Sequence, residues 1–119
     1  VGREGRKEHE DDNKEVYFHW WIYRSLSSKH DITFWEFSYF ATKDRLEVDL
    51  VIDRPGLPLV FIEIKSSVKV NDEHFRHLLK VKKDLPKAEY FLLSQDPINR
   101  VSQGIQCLHW QEGLSVLGL

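Results

Sequence analysis

The stretch from Leu46 to Lys65 constrains the fold of this chain more than any other. LEVDLVID (46–53) alternates strictly, as a half-buried β-strand does. Leu46, Val48, Leu50 and Ile52 are expected on one face, and Glu47, Asp49, Val51 and Asp53 on the other. RPGLP (54–58) reads as a turn from its Pro and Gly. LVFIEIK (59–65) is a second strand, with Val60, Ile62 and Ile64 on one face and Leu59, Phe61, Glu63 and Lys65 on the other. Its apolar company makes it a central strand, and charges on a central strand need a physical reason. If the two strands pair as neighbours, the Asp49 and Glu63 carboxylates can converge. At ~4 Å two such charges repel by about 4 kcal/mol at an effective dielectric near 20. A shared proton, a lysine or a divalent cation would offset that. An all-oxygen donor set suits Mg²⁺ or Mn²⁺ better than Zn²⁺. A cation there would activate water against a phosphodiester, and Lys65 would orient the nucleophile or neutralise developing charge. The plainer alternative is a half-exposed strand carrying a solvent-facing Glu-x-Lys pair of little energetic weight.

The flanking sequence predicts an α/β (α+β) domain. Residues 1–14 (VGREGRKEHEDDNK) are almost wholly polar and read as an N-terminal segment or linker; residues 15–119 form the domain. EVYFHWWIYRSL (15–26) is a largely buried helix with Asn13 as its N-cap. ITFWEFSYF (32–40) is a strand by its aromatic and β-branched content. Asn71, Asp72 and Glu73 open a second helix, an N-cap followed by two acids at the positive end of the helix dipole. EYFLLSQ (89–95) and GIQCLHW (104–110) are strands joined by the loop DPINRVSQ (96–103), and 112–119 is a terminal helix. The expected order is α-β-β-β-α-β-β-α around a central mixed sheet. A length of 119 residues suits one such domain. A single Cys excludes a disulfide framework and an all-Cys zinc site, and fits the cytoplasm. No apolar run is long enough for a membrane helix. The chain starts at Val1 and contains no Met, as a piece of a longer protein would.

An acid on one strand, a turn, then Glu-x-Lys on the next resembles the PD-(D/E)XK nuclease superfamily, whose core is helix, three-strand meander, helix, strand. More narrowly, WEF…RLEVDLVID…VFIEIKSS, a helix and KAEYFLLS are similar to the C-terminal nuclease-like domain of a family of prokaryotic AAA+ ATPases. The resemblance covers nearly everything after residue 14 and is specific at 46–67. It implies a restriction-endonuclease-like fold. Asp49 and Glu63 would be metal ligands for Mg²⁺ (or Mn²⁺), with the Ile64 carbonyl beside them, and Lys65 the catalytic lysine. Glu15 matches the superfamily's first-helix acid. The text before it, DDNK, departs from the usual Gly and apolar residue, and Glu15 equally fits a first-turn acid favoured by the dipole. His19, one turn on, can reach the same site, although packed or surface histidines are commoner.

Arg76, Lys80, Lys82 and Lys83 give the second helix a basic patch able to contact phosphates, or simply a solvated face. His74 and His77 lack partners at zinc-ligand spacing, and Cys107 reads as inert core. The expected function is a metal-dependent DNA endonuclease-like module at the C-terminus of an ATPase, its partners DNA and the ATPase domain of the same chain. A homodimer would supply the two sites that double-strand cutting needs. The alternative is the same fold used for DNA or protein binding and regulation without cleavage. A net charge of −2 leans toward the alternative, since free nucleases usually show more basic surfaces.

Overall fold

The computed structural model describes residues 18, 19, 22, 36–41 and 47–118. Phe18, His19 and Ile22 are helical, within the first predicted helix; the rest of that helix, Glu15 included, lies outside the described residues. The chain then runs β1 (Glu36–Ala41), β2 (Glu47–Asp53), β3 (Val60–Ile64), a 3₁₀ turn (Asp72–Phe75), α1 (Arg76–Asp84), β4 (Glu89–Ser94), β5 (Arg100–Ser102), β6 (Ile105–His109) and α2 (Trp110–Val116). The strands form one mixed sheet in the order β1-β2-β3-β4-β6-β5. β1, β2 and β3 are antiparallel neighbours. β3 pairs parallel with β4, and β4 with β6. The mixed α/β architecture expected from the sequence is the one observed, and it is compatible with a nuclease-like core.

Local chemistry explains the joints. Between β2 and β3, the Leu57 N–H donates to the Arg54 carbonyl at 3.0 Å, and Gly56 has φ +78°. This is a type II turn, with Pro55 supplying the fixed φ of its second position and Gly56 the left-handed third. Asn71 caps the helical segment as expected, its side chain accepting from the Glu73 N–H while His74 accepts from the Asn71 N–H. α1 then carries the chain from β3 to the parallel β4, the connection such strands require.

Every residue of β3 is buried, and in β4 all but Glu89 are. Strands covered on both faces read as continuous apolar runs for that reason. One face packs Leu50, Ile52, Ile62 and Phe91 beneath Phe18 and Ile22, with Leu114 of α2 and Leu117 just past its end. The other packs Val48, Val51, Phe61 and Leu92 beneath Phe75, Leu78 and Val81 of the α1 side. Phe18 meets Trp110 edge-on at 6.3 Å, joining the N-terminal helical residues to α2.

Two expectations need correction. The predicted face Leu46, Val48, Leu50, Ile52 is split: Val48 joins the α1-side cluster, whereas Leu50 and Ile52 join the opposite one. The cause is a β-bulge. Ser38 pairs with Val51 but Phe40 pairs with Val48, so Asp49 and Leu50 together stand opposite Tyr39. The loop 96–103 also contains an additional strand, β5, paired antiparallel with β6 at the sheet edge. Its hairpin turns at Gln103 (φ +52°) and Gly104 (φ +80°), both left-handed, which matches the right-handed twist of the strands.

Candidate functional site

The bulge sets the position of Asp49. Its carboxylate leaves the strand alternation and crosses to β3, where Oδ2 accepts the Ile64 N–H at 2.8 Å. His19 approaches the same point from the N-terminal helical residues. Its Nε2 lies 2.7 Å from the Ile64 carbonyl. A carbonyl only accepts, so Nε2 carries the proton in this contact. Nδ1 lies 3.8 Å from Asp49 Oδ1, an ion pair whenever the ring is charged. The side chains of His19 and Asp49 are 22% and 18% exposed, so the cluster is sheltered yet reachable from solvent.

Glu63 stands elsewhere on β3. It is 5% exposed, and it pairs in register with Leu92 of β4. Paired residues of neighbouring strands project to the same face, and Leu92 belongs to the α1-side cluster. Glu63 therefore faces α1, on the side of Phe61. The alternation that would have placed Asp49 with it is broken at the bulge. Lys65 is half-buried just past the end of β3, its N–H donating to the Leu93 carbonyl at 2.9 Å. The structure thus brings Asp49 and Ile64 of the expected set together, with His19 beside them, while Glu63 faces the α1 side and Lys65 lies just past the end of β3.

A Mg²⁺ ion asks for near-octahedral oxygens, and here two of the expected donors are already engaged. Asp49 Oδ2 holds the Ile64 amide, and the Ile64 carbonyl holds His19. Among the described residues, no three His, Cys, Asp or Glu side chains are grouped so as to hold a metal ion.

The basic patch divides in two. Arg76, Lys80 and Lys83 are exposed. Lys82 turns to the β5–β6 hairpin instead, where Nζ donates to the Gln103 carbonyl at 2.5 Å. His77 lies against β2, its Nδ1 3.4 Å from the Glu47 carbonyl. An apolar pocket of about 470 Å³, lined by Pro58, Leu59, Leu85 and Pro86, opens at the other end of β3 and is remote from Asp49.

Sequence reasoning gave no sign of Arg54. It is 8% exposed, with its guanidinium donating to the Pro58 carbonyl at 3.1 Å and to the Glu89 carboxylate at 2.9 Å. It locks the β2–β3 turn to the start of β4. Past the carboxyl ends of β3 and β4, the Asp96 carboxylate accepts from the Val70 and Ile98 N–H groups. Those bonds, with the Val70 one foremost, hold its carboxyl below the ordinary range.

Residues 21–112 match the family model described as Domain of unknown function (DUF4143). The chain belongs to the DUF4143 family. DUF4143 domains are commonly found in AAA-ATPase-associated proteins. No curated protein and no solved structure matches the chain. The DUF4143 match spans the described sheet, α1 and the first three residues of α2, so it includes Asp49, Glu63 and Lys65. Among the described residues, no helix is long and apolar enough to cross a membrane.

Proposed function

We propose that this domain is a nuclease-fold module that binds and regulates within an ATPase chain, and does not cut DNA itself. One observation carries the reading. The Asp49 carboxylate and the Ile64 carbonyl, the oxygens a catalytic cation would take, are engaged by the protein's own Ile64 N–H and His19 ring. In this role Asp49 works as a clamp between β2 and β3 where their ladder ends, since the last pair in register is Leu50 with Ile62. The ATPase association rests on the DUF4143 family membership. A cleavage assay tests it. Linear, branched and single-stranded DNA are incubated with the chain in Mg²⁺ or Mn²⁺. The expected result is intact DNA; cleavage that disappears in both Asp49→Ala and Lys65→Ala would overturn the reading.

A second reading, a Mg²⁺- or Mn²⁺-dependent endonuclease using Asp49, Glu63 and Lys65, is supported by the same geometry seen differently. The Asp49 carboxylate and the Ile64 carbonyl are both within reach of one ring, so a cation displacing His19 would meet two oxygens at once. The cleavage assay separates the two readings.

A further inference from the structure

The apolar pocket at the amino ends of β3 and β4 is built from leucines that the core does not use. Its walls are Pro58 and Leu59, just before β3, and Leu85 and Pro86, between α1 and β4. Leu59 and Leu85 are 37% and 43% exposed, and Leu57, next to Pro58 in the turn, is 55% exposed. Among the described residues these are the only exposed leucines. None of them belongs to either core cluster. Apolar side chains gathered on a surface in this way mark a contact site. The walls are also held firmly. The buried Arg54 donates to the Pro58 carbonyl and to the Glu89 carboxylate. The Leu59 carbonyl accepts the Glu89 N–H at 2.8 Å, and the Leu85 carbonyl accepts the Tyr90 hydroxyl at 2.6 Å. Burying an arginine in a surface turn costs desolvation, and here the arginine ties one wall of the pocket to the strand that carries the other.

We infer that this pocket takes an apolar anchor side chain, leucine, isoleucine or phenylalanine, from a short linear segment of a partner protein. A second copy of the chain matches it poorly. A standard interface needs about 20–30 residues a side, whereas the seven lining residues and Leu57 make eight. A free small molecule also fits poorly. The volume of about 470 Å³ is large enough, but such ligands have roughly 70–90% of their surface buried, and these walls stand open at Leu59 and Leu85. A side chain carried on a longer segment meets that need, because the segment itself covers the mouth and rests on Leu57. An added β-strand would find little to pair with: Pro58 and Pro86 have no N–H, and the Pro58, Leu59 and Leu85 carbonyls already accept hydrogen bonds. Asp84 and Lys87, exposed and of opposite sign, also line the pocket and favour neither charge in the segment. The inference rests on the binding-module reading in naming a protein partner. The pocket lies at the far end of β3 from Asp49, and its test uses neither DNA nor metal, so its failure is distinct from a failure of that reading in the cleavage assay.

The test selects short linear peptides from a phage-displayed random library on the whole chain, in EDTA, and titrates the enriched sequences as labelled peptides by fluorescence anisotropy. The enriched sequences are expected to share a leucine, isoleucine or phenylalanine. Replacing that residue by Ser loses about ten-fold in affinity or more, as an anchor in a pocket should. Leu59→Glu and Leu85→Glu, made separately at exposed positions, each lose about as much. Ile98→Glu, the same change at an exposed apolar residue past the other end of β4, stays within about two-fold. Circular dichroism checks that each variant remains folded. Selection that enriches no apolar residue, or equal binding by both pocket variants, overturns the inference. So does displacement of the peptides by octanoate at concentrations below those the peptides need, which would assign the pocket to a free apolar ligand. A dimer in sedimentation that Leu59→Glu dissociates would assign the face to a second copy and overturns it as well.

Discussion

Replacing Asp49 separates a structural carboxylate from a catalytic one. Ile64 is fully buried, and its N–H has the Asp49 carboxylate as acceptor at 2.8 Å. Asp49→Ala removes that acceptor where β2 and β3 stop pairing. An orphaned buried donor costs about 1–3 kcal/mol, and hydrogen bonds to charged groups sit in the upper part of that range. Asp49 is partly exposed, and water can reach the vacated space, so the expected loss is about 2 kcal/mol. For a domain of this size that lowers Tm by roughly 8 °C. Asn keeps an acceptor oxygen in the same place and gives up only the charge, so Asp49→Asn is expected to recover about half of the loss. Thermal unfolding by circular dichroism measures both. Amide exchange at Ile64 reports the bond itself, faster in the Ala variant and nearly unchanged in Asn. An Asp49→Ala variant as stable as the parent chain, or more so, would refute the clamp, because a carboxylate kept for catalysis is typically released without loss of stability.

Three further outcomes follow from particular contacts. A Cβ on Gly113 would overlap the side chain of Leu93, which is fully buried; overpacking of about 1–3 kcal/mol outweighs the roughly 1 kcal/mol that Ala gains in a helix, so Gly113→Ala should unfold at lower urea. The Asp96 carboxyl is held below the ordinary carboxylate value by the N–H groups of Val70 and Ile98. Its contribution is therefore complete above the unfolded value and is lost as pH falls through the lower folded one; Asp96→Asn should flatten the acid limb of a Tm-against-pH curve. Burial pushes the Cys107 thiol up; labelling by a thiol reagent at neutral pH should be slow in the native state and fast in urea.

The sequence carried the sheet's centre clearly and its edges poorly. VFIEI and YFLLS are apolar almost throughout because both faces of β3 and β4 are covered, and such runs are legible without knowing the partners. The Asn71 cap was legible because its chemistry is local. β5 is three residues long and follows the turn-forming Asp96-Pro97, so nothing in its own text distinguishes it from loop. The bulge at Asp49 and Leu50 uses no glycine and leaves the alternation of LEVDLVID intact on paper while reversing which face Val48 occupies. The candidate site was half legible for the same reason. Adjacency of Asp49 and Ile64 follows from two strands joined by a tight turn. The His19 contact spans 45 residues of sequence and depends on how the first helix lies on the sheet, which periodicity does not encode. Arg54 sits in a turn, and its burial is set by Glu89, 35 residues away.

Metal binding by isothermal calorimetry decides the central question most directly. Mg²⁺ and then Mn²⁺ are titrated into the chain, with Asp49→Ala and Glu63→Ala beside it. With Asp49 clamped to Ile64, His19 on the Ile64 carbonyl and Glu63 facing α1, no saturable heat is expected from the parent chain. Saturable binding that is lost in both variants would contradict this, and would show that the two carboxylates act as one metal site.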